Sequence, residues 1–519
     1  MKTSIRQGAV ALGSLTAAVA LLAGMNTAQA QLGAGQRPSG PPVAPKGPGA
    51  GSFPQSFLIP GTNTSLSLYG KIQLTVHDNI GSMHTSDQGP SPAQGAPNLG
   101  TLYLEGPGAS GGTSFSNVFR SMHGGLRNQV SSTNFAFETR TPSDLGEIKT
   151  VMLVDFSLLA GQGNYTGAGV GATSINPKLG AGNNSIPRIQ WAYGTLGPWL
   201  FGQYNSAWAD PLLFAPDIGD QNQVARMTTV NIRRPQIRYT YLAGNGITLS
   251  GSLESMNSGA LHCTATGTTT CVGAAGLAAG ALASNGSDNT DVAAGGLVNL
   301  PSFNFGGAWD QPWGHLMARA GVGRSEVRNA SSPAIFGGSS QGNNITQWHW
   351  AVEGGAMINT WGQDQWRGHV SYSHGLSTYM SDMPAGTVDM IINGENGDVS
   401  PINVFGIETS YIHRFNPNWR MSGAFGVDFF NKPDAAAGWG NCATATGGPI
   451  GTCVAGGAAA AQLAAVEKRH IYSGASLTYS PVPGQVDIKV ELDYYDRQVQ
   501  ASNTGASAWA QSLSVAFYW

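Results

Sequence analysis

The last eight residues, Ser512-Leu-Ser-Val-Ala-Phe-Tyr-Trp519, alternate small or polar with large apolar side chains and end on an aromatic. Period two is the repeat of a β-strand, whose successive side chains point to opposite faces. A strand with one greasy and one polar face suits a boundary between lipid and water. In a bilayer only a closed sheet satisfies every backbone group of such strands. The pattern therefore predicts a barrel whose last strand pairs with its first and sets an aromatic at the lipid interface.

The opposite end agrees. Lys2 and Arg6 precede an apolar run from Ala9 to Ala23, and Ala28-Gln29-Ala30 supplies a small-x-small cleavage pattern, so residues 1–30 read as a secretory signal. No stretch of about 18 or more uninterrupted apolar residues follows, which removes transmembrane helices from consideration. Residues 31–64 are rich in Pro, Gly and Ser without periodicity and read as an extended periplasmic leader. Residues 65–519 are then one membrane domain, with the outer membrane lipid and lipopolysaccharide as its surroundings. The formal net charge of −3 argues against a nucleic-acid partner.

From Ser65 onward one unit recurs: a strand of about ten residues, a tight turn, a second strand and a long loop. Seven tight turns are visible, at Ser143–Gly146, Leu196–Pro198, Gly244–Gly246, Gln311–Gly314, Gly362–Asp364, Asn416–Asn418 and Pro481–Gly484. Each carries Gly, Pro, Asn or Asp, which make chain reversals cheap. Seven hairpins plus an unpaired first and last strand give sixteen. The fold class expected is all-β: a 16-stranded antiparallel transmembrane barrel with short periplasmic turns and long extracellular loops. Alternation turns Leu66, Leu68, Ile72, Leu74 and Val76 outward on the first strand and Val486, Ile488, Val490, Leu492 and Tyr494 outward on the fifteenth. Trp348, Trp350, Trp366, Trp419, Tyr479 and Trp519 fall on the lipid side as an aromatic girdle. A soluble β-sandwich also alternates, but it needs neither an export signal nor the asymmetry of turn lengths.

Sixteen strands leave an aqueous lumen, because eight already nearly fill their own interior. The third long loop, after the fifth strand, combines Asp210, Pro211, Pro216, Asp217, Asp220 and Arg226 with apolar Leu212, Leu213 and Phe214. Such a loop is poorly placed in outside water and is expected to fold inward as a constriction. Same-face counting puts Lys71, Arg140, Lys149, Arg188, Arg234 and Arg238 into the lumen on neighbouring strands, a cationic ladder on one wall. Opposed charges in a constriction orient dipolar solutes, and surplus Arg favours anions. Against this, Glu138 and Glu147 stand two residues from Arg140 and Lys149, while Arg234 and Arg238 have no acid on their own strand. The later strands are more acidic or balanced, with Glu353, Glu408, Asp428, Asp487, Glu491 and Asp493 against Arg319, Arg367, Arg420 and Lys489.

The four cysteines form two close pairs, Cys263 with Cys271 and Cys442 with Cys453. In an exported chain they read as two loop disulfides. Spacings of eight and eleven match no common zinc motif. The ten histidines are dispersed, no Ser-His-Asp order sits in a recognisable elbow and no phosphate loop precedes a helix. Neither enzymatic activity, cofactor nor metal is expected.

Phe135 to Phe156, FAFETRTPSDLGEIKTVMLVDF, resembles a hairpin of the DcaP-like trimeric outer-membrane porins. RIQWAYGTLGPWLFGQYNSAW at 188–208 and RRPQIRYTY at 233–241 resemble two further segments of that family. The resemblance implies a sixteen-stranded barrel, a homotrimer and passage of small anions such as dicarboxylates, with Arg140, Arg188, Arg234 and Arg238 at matching lumen positions. It departs at the start: members of that family carry a helical coiled coil before the barrel, whereas residues 31–64 hold too much Pro and Gly for a helix. The expected function is passive diffusion of small hydrophilic solutes with a preference for anions. The alternatives are a non-selective porin and, from another class, an outer-membrane enzyme or adhesin.

Overall fold

The computed structural model describes residues 49–81, 125–129, 133–159, 185–218, 233–255, 259–263, 271–272, 282–283, 297–327, 345–376, 388–393, 399–431, 467–499 and 505–519. The expected signal over residues 1–30 lies outside these residues. Sixteen strands form one closed antiparallel sheet. They are β1 Ser65–Gly81, β2 Asn134–Thr141, β3 Ile148–Leu159, β4 Ser185–Leu196, β5 Trp199–Asn205, β6 Arg233–Gly244, β7 Ile247–Glu254 and β8 Ser302–Gln311. The second half comprises β9 Gly314–Val327, β10 Ile345–Asn359, β11 Gln365–His374, β12 Asn403–Arg414, β13 Trp419–Phe430, β14 Glu467–Val482, β15 Val486–Val499 and β16 Gly505–Tyr518. No described helix is long and apolar enough to cross a membrane.

All seven tight turns expected from the sequence join the strand pairs β2–β3, β4–β5, β6–β7, β8–β9, β10–β11, β12–β13 and β14–β15. The Gly244-Asn245-Gly246 reversal shows why those residues are there. Asn245 and Gly246 both have positive φ, 52° and 79°, the requirement of a hairpin turn whose twist matches its strands. Closure is made by β1 and β16, paired from Lys71↔Tyr518 to Gly81↔Ala508. The seam ends where Gly70 and Trp519 exchange two backbone hydrogen bonds of 3.2 Å. The Trp519 ring occupies the space a Cβ on Gly70 would need, at 2.6 Å, so a glycine there lets the terminal aromatic lie flat on the sheet.

Period two fixes the faces. On β1, Ser65, Ser67, Lys71, Gln73 and Thr75 are buried inward while Leu68, Ile72 and Leu74 are exposed outward. On β15, Asp487, Lys489, Glu491 and Asp493 are inward and Leu492 outward. A lipid-facing band results, and Trp348, Trp350, Trp366 and Trp519 stand exposed on it. Trp419 and Tyr479 stack on one another with centroids 4.6 Å apart, so the tyrosine is covered.

Residues 49–64 are not extended as the sequence suggested. Phe57–Leu58 pairs with Leu66 and Ser65 along the edge of β1, and the chain before it turns back over the lumen side. On the opposite side of the barrel, short strands build a small second sheet, with Gly259–Cys263 running parallel to Val388–Asn393. There Cys263 and Cys271 are direct cross-strand partners by backbone register. Cys442 and Cys453 lie outside the described residues.

Candidate functional site

The segment after β5 leaves the wall at Asn205 and folds into the lumen, as its apolar, proline-rich composition required. From Ser206 to Ile218 nearly every residue is buried. Glu254, on β7, holds its root: the carboxylate accepts from the Ser206 hydroxyl at 2.5 Å and from the Ala207 amide at 2.7 Å. The chain then runs along the inner wall, strand after strand. Arg319 on β9 donates to the Ala207 carbonyl and to Asp210, the latter at 2.6 Å. His315, one turn of the ladder below, bonds Asp210 at 3.1 Å through Nε2 and Asp310 at 2.7 Å through Nδ1. Leu213 fills the space above Gly355, which has no room for a Cβ. Arg367 on β11 donates to the Phe214 carbonyl at 2.7 Å. At the far end Asp217 is bonded by the Arg420 guanidinium, which also reaches Asp487 at 2.8 Å, and Lys489 caps the Asp217 carbonyl at 3.0 Å.

Asp210 and Asp217 are engaged by Arg319 and Arg420 of the later strands. Burial alone would push the Asp210 carboxyl up, but the His315 hydrogen bond and the nearby Arg319 outweigh it and hold it down at about 2. Asp220 and Arg226, the other constriction residues read from the sequence, lie outside the described residues.

The cationic arc occupies β1 to β6. Arg140 on β2 and Lys149 on β3 are cross-strand partners, and their row continues through Thr195 and Leu200 to Arg238 on β6. Arg140 and Lys149 share one carboxylate, Glu138, at 2.6 and 3.5 Å, and Glu147 lies 3.6 Å from Arg140. Both cations stay about a quarter exposed, 28% and 26%. Arg238 bonds Gln236 at 2.8 Å and the Asn205 carbonyl, and its guanidinium lies 5.7 Å from the Tyr204 ring. Arg234, one register row pair higher, faces Tyr204 across the ladder and donates to the Ser255 carbonyl at 2.7 Å. Lys71 is buried and donates to Gln73 at 2.6 Å, in the row of Asp155. Arg188 pairs with Asp155 by backbone register, and its side chain is not described.

Two features of this site escaped the sequence reading. Glu254 had no neighbouring motif to mark it, although an acid at the end of a strand adjoining Arg238 is a signal that counting across strands would have caught. The aromatic group of Trp191, Tyr193 and Tyr204 was the other: Tyr204 lies 4.6 Å from Tyr193 and 5.4 Å from Trp191, between the two cationic rows. A bulge between Leu153 and Val154 of the β3–β4 ladder re-aims the strand there, so simple parity did not place these rings.

Among solved structures, the outer membrane channel DcaP of Acinetobacter baumannii is similar in fold, with a TM-score of 0.59 at 16% identity over 89% of this chain and 99% of that one. The anion-selective porin from Comamonas acidovorans aligns with a TM-score of 0.41 at 10% identity, over 88% of this chain and all of its own. No curated protein sequence matches the chain. The model of the porin subfamily matches residues 54–514, from the turn before β1 to within the final strand. A closed sixteen-stranded barrel, a third loop folded along its inner wall and a family match over nearly its whole length make this chain a member of the porin family, an outer-membrane channel.

Proposed function

We propose that the channel passes small hydrophilic solutes by passive diffusion and favours small anions such as dicarboxylates, working as a homotrimer without a cofactor. One observation carries the preference: the described acids of the inserted loop, Asp210 and Asp217, are paired with Arg319 and Arg420 of the later strands. Along β1 to β7 the six cations read as lumen-facing, Lys71, Arg140, Lys149, Arg188, Arg234 and Arg238, outnumber the four carboxylates beside them, Glu138, Glu147, Asp155 and, on β7, Glu254. Surplus positive charge in a narrow lumen raises the local concentration of anions, and the Arg fork accepts a carboxylate bidentately while never losing its proton. The sharing of Glu138 by Arg140 and Lys149 favours a second, weaker reading, general diffusion with little preference.

The reversal potential in a planar bilayer under a salt gradient separates the two. Anion-selective sign, with blockade by added succinate, is the expected result. Arg234→Glu combined with Arg238→Glu should move the potential toward zero or past it. An unchanged potential removes these two residues from the selective site. In the outer sheet, register places the Cα atoms of Cys263 and Cys271 about 4.5–5.5 Å apart, within the span of a disulfide. A bond there would stiffen the loop that carries it, and mass spectrometry of the unreduced protein tests it.

A further inference from the structure

The segment before β1 is more than a tether. Residues 49–58 close into a compact turn: Gly51 donates to the Ser56 carbonyl at 3.0 Å, Leu58 to the Gly49 carbonyl at 2.8 Å, and Phe53 to the Ser56 hydroxyl at 3.2 Å. The turn is tight enough that a Cβ on Gly51 would lie 2.8 Å from the Ser56 backbone. One bond fixes it to the inner side of the barrel, from the Ser52 amide to the Ser65 hydroxyl at 2.8 Å, and Ser65 faces the lumen. Phe53 is thereby carried over the rim and is 5% exposed, with the Arg140 guanidinium 4.5 Å from its ring centre. Arg140 stands three residues from the Ser143–Gly146 turn, at the periplasmic end of the lumen.

We propose that residues 49–58 form an aromatic stopper at the periplasmic exit: Phe53, docked on Arg140, narrows the mouth and covers one face of that cation, and its release widens the exit. Its attachments to the barrel include a two-residue strand, an amide-to-hydroxyl bond and a ring on a guanidinium, all at the rim, and a short rim segment opens locally at lower cost than the barrel wall. With the ring docked, Arg140 keeps its edge on Glu138 but loses a face to the phenyl group. With the ring away, that face is open to a passing solute.

Two variants of the full chain test this in planar bilayers. Phe53→Ala should conduct more than the native channel and lose any low-conductance sublevel. Ser52→Cys with Ser65→Cys, oxidised, should stay at the low level and rise in conductance on reduction, with the native protein carried through the same reductant as the control. Conductance of Phe53→Ala equal to native, or a double-cysteine channel indifferent to its redox state, overturns the stopper. If Phe53→Ala fails to give a heat-modifiable band, the stapled protein, one chain in two states, still decides. The proposal rests on the pore and not on its anion preference. Redox-independent conductance with an anion-selective potential sinks the stopper alone, and a redox effect with no ion preference sinks only the proposed selectivity.

Discussion

Asp210 is the residue on which the constriction turns. Its Oδ2 meets Arg319 and His315 in a buried setting, and the loop amide of Leu212 donates to its Oδ1 at 3.0 Å. Asp210→Asn keeps the shape and removes the charge, leaving Arg319 without its counter-ion. Removing one member of such a pair costs on the order of 3 kcal/mol. The expected outcome is a loosened loop, read as noisier and larger single-channel currents, with the barrel intact by its gel mobility. The pH dependence has a definite sign. A carboxyl held near 2 against an unfolded value of 3.8 contributes stability that is complete above 3.8 and is lost only as pH falls through 2. Conductance noise in the native channel should therefore stay flat from neutral pH down to about pH 4, as far as Asp210 is concerned. A rise between pH 7 and 5 would assign the latch to other groups.

At the scale of elements, the strands were legible because each carries its own evidence: an apolar face at period two and a turn residue at each inner end. The third loop was half legible. Leu212, Leu213, Phe214 and two prolines said that it must leave water, but not where it would dock, since Asp210 and Arg319 are 109 residues apart and Asp217 and Arg420 are 203 apart. No local pattern encodes a pairing across that separation; it follows only once the register of β9 and β13 is known. The segment 49–58 was missed for a different reason. Its Pro and Gly content reads as freedom, whereas its fold depends on short-range bonds to Ser56 and Ser65 that composition does not register. The loop's role can be tested as a unit. Replacing residues 209–218 with a Gly-Ser linker of equal length should enlarge the conductance and shift the reversal potential further toward anions, because Arg319, Arg367, Arg420 and Lys489 lose the groups they now hold. A shift toward cations would overturn this account of the loop.

The whole molecule is a ring of hydrogen bonds with apolar side chains outside and charged ones within, and closure makes its stability collective. Detergent-extracted protein should run as a fast band before heating and a slow one after, the mark of a compact barrel that opens all at once. A band indifferent to heat would count against closure. The seam explains why the transition is expected to be so steep. Every interior strand is held by two neighbours, but β1 and β16 are each other's second neighbour, joined along eleven residue pairs and finished by Gly70 and Trp519. Without that joint the same sheet would present two open edges to lipid, each a row of unsatisfied amides and carbonyls that hydrocarbon cannot solvate. The bilayer thus acts as an inspector of manufacture: a chain shortened within its final strand has no stable way to stay in the membrane and is left to the proteases of the compartment it came from.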